Sequence, residues 1–420
     1  MSWKGAALVR TVELLIIGGG PAGLSAAIGA KREGIEDILV VERNDKLGGI
    51  LNQCIHNGFG VQIFGEELTG PEYAHRLIKE VKALGITCLT KTTVLKLDHE
   101  KQVTIVSENA LEIIQAKAVI LAMGCRERPR GAISIPGSRP AGIFSAGTAQ
   151  ELVNMRGYKL GKSAVIVGSG DIGLIMARRL TLEGMDVKCV LEIMPYSGGL
   201  ARNITQCLDD FNIPLLYNHS VSEIIGKDRI SGIKAVKVDE NKQPIADTEK
   251  YIACDTLLFS VGLIPENELS KQAGVIIDHT TGGAEVDNYM QTNIDGIFAC
   301  GNVLHVHDLV DNVTLEAYEA AKGVRTYLDN GKQDETLSVD IINGIKYIVP
   351  QRINRNSKKL VLKFRSDNIY KGIAVNVCID DKKILSHRKK IITPGEMETI
   401  TLYDFGDELL NAKNISIGLG

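Results

Sequence analysis

Glu13-Leu-Leu-Ile-Ile17 is a buried-strand run, Gly18-Gly-Gly-Pro-Ala-Gly23 follows it at once, and Leu24-Ser-Ala-Ala-Ile-Gly-Ala30 continues in the small residues of a closely packed helix. Strand, glycine turn and helix come in the order of a dinucleotide-binding βαβ unit. Gly18 permits the tight turn, Gly20 lets backbone approach a pyrophosphate, and Gly23 lets the helix pack against the strand. An anion is favoured at such a helix start by free N–H groups and the helix dipole. The next strand, Ile38-Leu-Val-Val-Glu42, ends in an acid 19 residues after Gly23, placed to accept hydrogen bonds from ribose hydroxyls.

The pattern occurs twice. Ser163-Ala-Val-Ile-Val167 leads into Gly168-Ser-Gly-Asp-Ile-Gly173 and the helical stretch Leu174 to Leu182, and Val187-Lys-Cys-Val-Leu-Glu192 ends in an acid 19 residues after Gly173. The two glycine turns start 150 residues apart. One GxGxxG is weak; two in context with matching acids predict two nucleotide-binding units. A carboxylate at Glu192 welcomes a free 2′-hydroxyl and repels a 2′-phosphate, so the second unit favours NAD(H) over NADP(H).

A chain of 420 residues exceeds one ordinary hydrophobic core. The 43 glycines are well above the average share, as expected where backbone meets phosphate. A formal charge of −3 argues against nucleic-acid binding as the main role. The only strongly apolar N-terminal stretch is interrupted by the glycine turn, so neither a signal peptide nor a membrane span is expected, and the default compartment is the cytoplasm. Eight cysteines at 54, 88, 125, 189, 207, 254, 300 and 378 form no CxxC pair, which predicts reduced thiols without a zinc or iron-sulfur motif. Beyond about residue 335, short runs at Ile345 to Val349, Leu360 to Phe364, Ile373 to Ile379, Glu398 to Leu402 and Ile415 to Leu419 predict a small β-rich domain.

The ordered set GGGPAG at 18 to 23, Ala122-Met-Gly124, GSGDIG at 168 to 173, Ser260-Val-Gly-Leu-Ile-Pro265 and Ile297-Phe-Ala-Cys-Gly-Asn302 resembles the two-dinucleotide-binding flavoproteins of the pyridine nucleotide-disulfide oxidoreductase superfamily. The resemblance covers about residues 12 to 330. It implies an α/β fold with two Rossmann-like domains, FAD on the first unit and NAD(H) on the second. The expected division is 1–148 and 265–335 for the FAD domain, 149–264 for the inserted NAD(H) domain, and 336–420 for the β-rich tail. Met123-Gly-Cys-Arg-Glu-Arg-Pro-Arg130 with Ile135-Pro-Gly137 is similar to flavoprotein subunits of sarcosine oxidase, opine dehydrogenase and hydrogen cyanide synthase. Leu47-Gly-Gly-Ile-Leu-Asn-Gln-Cys-Ile-His56 resembles NAD/FAD oxidoreductases linked to glycerol-3-phosphate-type dehydrogenases. The resemblance implies an electron-transfer partner of another subunit, a dehydrogenase or iron-sulfur protein, as members of that branch often are. The family's late Gly-Asp reads Gly301-Asn302 here, and a helix starting near Thr314 is expected to aim its N-terminal amides at the flavin.

The residues expected to contact the two dinucleotides are Gly18, Gly20, Pro21, Ala22, Gly23, Glu42, Arg43, Gly49, Val94, Ala122, Gly124, Gly168, Gly170, Asp171, Ile172, Gly173, Glu192, Gly262, Gly301, Asn302 and Thr314. Cys54 and His56 are the candidate catalytic residues. No second cysteine lies within ten residues of Cys54, which argues against a dithiol centre; a single-cysteine oxidase or peroxidase and a merely packed thiol stay open. His56 is read as a proton donor or as a structural hydrogen-bonding residue. His305-Val-His307-Asp308 is too thin a ligand set for a metal.

Three functions are compatible: an NADH:flavin oxidoreductase passing electrons to a small-molecule or protein acceptor; an FAD-dependent dehydrogenase of an amine, 2-hydroxy acid or glycerol-3-phosphate-type substrate; and an assembly module whose tail docks a partner. An oligomer is compatible with each.

Overall fold

The strand Val9–Ile17 is interior on both faces because Leu14, Leu15 and Ile16 are all fully buried, as a continuous apolar run in a parallel sheet requires. It pairs in parallel with Ile38–Val41 on one side and Leu111–Leu121 on the other. Thr87–Leu89 extends the sheet beyond Ile38–Val41. Leu111–Leu121 serves two further neighbours: its first half pairs antiparallel with Gln102–Val106, while Val119 to Leu121 pair in parallel with Ile297–Ala299. The chain that returns after residue 264 therefore re-enters the first sheet. Helix Pro21–Arg32 lies against helix Val310–Asn330 so closely that a Cβ on Gly29 would sit 3.0 Å from that of Ala321.

The computed structural model describes residues 9–331, 336–380, 382–403, 405 and 408–420. The chain divides into two units, one running up to Cys125 and resuming as Pro265–Gly420, the other Arg126–Ile264. The first crossing thus falls at 125/126 instead of the expected 148/149. The reason is the strand Ile143–Ser145, which pairs with Thr256–Phe259, together with helix Ala146–Asn154, whose Ala149 and Val153 belong to the second unit's core.

The second unit has a five-stranded parallel sheet in the order Ile143–Ser145, Thr256–Phe259, Ser163–Val167, Asp186–Glu192, Leu215–Tyr217. Successive neighbours of Ser163–Val167 run to opposite sides, which makes its C-terminal end a topological switch point, where ligands bind in open α/β sheets.

Residues 336–420 group with the first unit and do not stand apart. They form a five-stranded sheet, Arg352–Asn354, Thr336–Ile341, Ile415–Leu419, Tyr370–Ile379, Lys382–Ile392, and a three-stranded one, Ile345–Val349, Lys359–Ser366, Glu398–Tyr403. Their own core includes Leu360, Leu362, Phe364, Val375 and Ile417, all fully buried. Hydrogen bonds from the Gln351 N–H to Val286 O (3.1 Å) and from the Asn354 N–H to Asn288 Oδ1 (2.6 Å) bind them to the segment before Ile297–Ala299. No helix among the described residues is long and apolar enough to cross a membrane.

Candidate functional site

In the first unit Gly18 has φ +111°, and a Cβ there would lie 2.3 Å from Ala122 O. The Ala122 N–H donates to Ile17 O (2.9 Å), so these two residues close the end of adjacent strands. A Cβ on Gly23 would lie 1.9 Å from Gly18 O, which leaves only glycine there. Gly20 is the N-cap residue, Pro21 the first helical residue and Ala22 is buried behind it. Gly49 (φ +56°) faces Gly20, and a Cβ on it would come within 2.9 Å of the Gly20 Cα. The space beside this helix start is thus kept free of side chains.

Glu42 is buried and its carboxylate accepts the N–H groups of Gly19 and Asn44, both at 2.7 Å. Two fixed donors orient it and leave acceptor capacity for hydroxyls. The Thr92 N–H donates to Glu42 O (3.0 Å), placing Val94 on the following strand Thr93–Leu97, while Arg43 is exposed.

The second unit repeats the construction. A Cβ on Gly168 (φ +92°) would lie 2.1 Å from Ser260 O, and the Gly173 N–H donates to Ser260 Oγ (3.1 Å). Gly170 is the N-cap residue and Asp171 and Ile172 open the helix Asp171–Leu182. Glu192 accepts the Ser169 N–H (2.8 Å), the Ser169 Oγ–H (2.6 Å) and the Met194 N–H (2.9 Å), at the positions that correspond to Gly19 and Asn44. Asp171 is turned onto the segment after the acid, taking the Leu200 N–H (2.8 Å) and the Asn203 Nδ2–H (2.6 Å). Gly262 (φ +105°) has open space around it, as does Gly124 (φ +73°) in the first unit.

Sequence reasoning missed part of this repeat. Gly48-Gly49 recurs as Gly198-Gly199 at the same offset of 150 residues, a signal available in the sequence once the acids are aligned. Ser169 and Ser260, which hold Glu192 and Gly173, stand inside the quoted motifs GSGDIG and Ser260-Val-Gly-Leu-Ile-Pro265, but the motifs did not mark these roles for them.

Among described helices of eight residues or more, Gly70–Ala83 and Ala146–Asn154 are capped by Thr69 and Ser145. Pro21–Arg32, Asp171–Leu182 and Val310–Asn330 have no side-chain cap. Helix starts without a side-chain cap can offer N–H donors to an anion, at the two glycine turns and at the helix expected near the flavin, although in Asp171–Leu182 the Gly173 N–H is already taken by Ser260 Oγ. That helix begins at Val310 and not near Thr314, because Leu309 is extended and Val310 already helical. Thr314 lies inside it, buried, with its hydroxyl bonded to those of Tyr73 (2.8 Å) and Ser25 (3.0 Å). Asp311 in the first turn accepts the Gly60 N–H on Oδ2 (3.1 Å), and its buried Oδ1 has no partner among the described residues.

Gly301 (φ +77°) opens the late turn. Asn302 Oδ1 accepts the His307 N–H (3.0 Å), a role an aspartate would share, while its Nδ2 donates to Cys125 Sγ (3.6 Å), which an aspartate could not do.

Cys54 is half-buried, and its Sγ donates to Ile50 O (3.3 Å). Burial pushes the thiol up to about 12, so it is not a thiolate near neutral pH. The Cys54 carbonyl accepts the Gly70 N–H (2.8 Å), where a Cβ would lie 2.6 Å from that oxygen. The His56 ring lies 5.0 Å from that of Phe59, centroid to centroid.

His305, His307 and Glu316 lie within 4.8 Å of one another, closer than a thin sequence motif suggested. Lys363, however, donates to Glu316 Oε2 at 2.8 Å. A metal ion would have to displace this ammonium and the histidine protons aimed at the same carboxylate. Desolvation pushes both imidazoles down, His307 to about 3, while the histidines and Lys363 hold Glu316 well below the usual carboxylate range.

The family model for the pyridine nucleotide-disulphide oxidoreductases matches residues 12–322. An NADH dehydrogenase of Ferdinandcohnia aciditolerans is 28% identical over 296 residues, 69% of this chain and 52% of its own. An opine oxidase subunit of Agrobacterium tumefaciens is 24% identical over 281 residues, 62% of this chain and 54% of its own. The crystal structure of T. acidophilum thioredoxin reductase matches with a TM-score of 0.64 at 23% identity, over 76% of this chain and 100% of that one, a likeness of fold. The chain spans about half the length of the curated relatives it matches.

Proposed function

The chain belongs to the pyridine nucleotide-disulphide oxidoreductase family, whose enzymes bind FAD and NAD(P)H, and on that premise we propose that it oxidises NADH and passes the electrons onward as one subunit of a larger dehydrogenase. The observation that carries the reading is the pair of uncapped, acid-braced glycine turns repeated at 150 residues. FAD, when bound, supplies a two-electron acceptor for the hydride of the nicotinamide.

In this reading Gly18, Gly20 and Gly23 admit the FAD pyrophosphate to the start of Pro21–Arg32, Glu42 takes the ribose hydroxyls, and Gly301 and Asn302 border the flavin-side phosphate. Gly168, Gly170 and Gly173 do the same for the nicotinamide dinucleotide, and Glu192 selects a free 2′-hydroxyl. Cys54 stays a neutral thiol. The likeness to a protein named as an oxidase subunit supports a partner that takes the electrons. Eight cysteines without a disulfide among the described residues support a reducing, cytoplasmic setting.

A second reading, an FAD-dependent dehydrogenase of an amine or 2-hydroxy acid, draws on the same likeness. Anaerobic addition of NADH to the FAD-loaded chain separates them. Bleaching of the flavin band by NADH supports the first reading; bleaching by an amino or hydroxy acid and none by NADH replaces it with the second.

A further inference from the structure

We propose that Lys363 and Glu316 are positioning residues of the flavin site, through which the C-terminal β-sheets hold the Gly301-Asn302 turn. The inference rests on the assignment of FAD to the first unit. It makes the tail a working part of the cofactor site instead of a separable docking module.

The turn is pinned from two directions. On one side Gly301 presses on the first glycine motif, since a Cβ there would lie 2.7 Å from the Ala22 Cβ. On the other its N–H donates to Glu316 Oε1 at 2.8 Å. The same oxygen accepts His307 Nε2–H (3.0 Å), and Oε2 accepts His305 Nε2–H (2.9 Å) and the Lys363 ammonium (2.8 Å). Four donors meet one carboxylate and use its full acceptor capacity. His307 then reaches the neighbouring residue of the turn, its N–H donating to Asn302 Oδ1 at 3.0 Å.

Glu316 is fully buried and Lys363 nearly so. Such a carboxylate keeps its place only while its charge is compensated. The compensating ammonium comes from the strand Lys359–Ser366, whose position is set by Leu362 and Phe364 in the core of the C-terminal sheets. A second link from the same strand runs in parallel, with Arg365 donating to Asp308 and to Val306 O. The strand thus holds Glu316 of helix Val310–Asn330 through Lys363 and the loop after the turn through Arg365. Without Lys363 the carboxylate is left uncompensated and would draw in a proton or water, and the Gly301 N–H loses its fixed acceptor. In Glu316→Gln combined with Lys363→Met the charge is gone, but an amide oxygen still faces Gly301.

The test uses the full chain, with FAD affinity read from flavin fluorescence and the midpoint potential of the bound flavin as a second readout. Lys363→Met is expected to weaken FAD binding by at least tenfold and to shift the potential, and the double variant to recover affinity to within a few-fold. Should Lys363→Met fail to fold, the double variant against Glu316→Leu/Lys363→Met, which offers Gly301 no acceptor, carries the comparison. The proposal is overturned by a folded Lys363→Met with unaltered affinity and potential. It is equally overturned if the Glu316→Gln/Lys363→Met and Glu316→Leu/Lys363→Met pairs bind FAD alike while melting at the same temperature. An unaltered chain that binds no FAD refutes instead the assignment on which the proposal rests.

Discussion

Glu192→Gln removes one charge from the second nucleotide site and should relax its choice of coenzyme. Glu192 is buried, so its field is weakly screened. Two unit charges 4 Å apart interact by about 1 kcal/mol in water and about 4 kcal/mol at the effective dielectric constant of a protein surface. A 2′-phosphate therefore meets a penalty of about 2 to 4 kcal/mol, on the order of 30- to 1,000-fold in kcat/KM. The glutamine keeps an oxygen for the Ser169 N–H and hydroxyl but turns an NH2 toward the Met194 N–H. That mismatch should cost about 1 to 3 kcal/mol of stability in this unit. The assay is kcat/KM for NADH and NADPH with an artificial electron acceptor. The expected result is an NADH preference in the unaltered chain that falls to within about tenfold in the variant. An unaltered enzyme that prefers NADPH, or a ratio that glutamine leaves in place, would refute the reasoning.

Gly23→Ala places a Cβ against the Gly18 carbonyl, a backbone atom that cannot move aside, and should yield a chain with little FAD and about 1 to 3 kcal/mol less stability, checked by flavin content and thermal melting. Gly173→Ala meets Gly168 O at a longer 2.9 Å and the Ser260 Cβ at 2.7 Å, and should raise the KM for NADH with flavin content intact. With its thiol raised to about 12, Cys54 should resist alkylation by iodoacetamide at pH 8; labelling as fast as a free thiol would contradict its packing. Acid should destabilise the fold: His307, depressed to about 3, takes a proton in the unfolded chain below about 6.5 but not in the folded one, so its contribution is complete above 6.5 and is lost as pH falls toward 3. The melting temperature should drop between pH 7 and 4, less steeply in His307→Gln.

Both glycine turns and both acids were legible because each depends on local order: a strand, a turn that only glycine allows, and an acid one strand later. The tail's strands Ile345–Val349 and Ile415–Leu419 were readable from short apolar runs bounded by turns. The boundary at 125/126 was not, since Ile143–Ser145 is three residues long and carries no periodicity; only its pairing with Thr256–Phe259 assigns it. The start of helix Val310–Asn330, ahead of the expected Thr314, was not legible because Leu309 offers no capping side chain to mark the place. Glu316 and Lys363 stand on different elements 47 residues apart, and nothing short of tertiary packing brings them together. For Cys54 the sequence left a single-cysteine redox centre and a packed thiol both open, and only its packing beside Gly70 shows a thiol without thiolate character.

The most direct test of the account is anaerobic rapid mixing of the FAD-loaded chain with NADH, and with NADH carrying deuterium at the transferred position, while the flavin absorbance is followed. The account predicts prompt loss of the flavin band, slowed by deuterium and unchanged in Cys54→Ser. A band that NADH leaves intact, or that bleaches only while Cys54 is present, would contradict it.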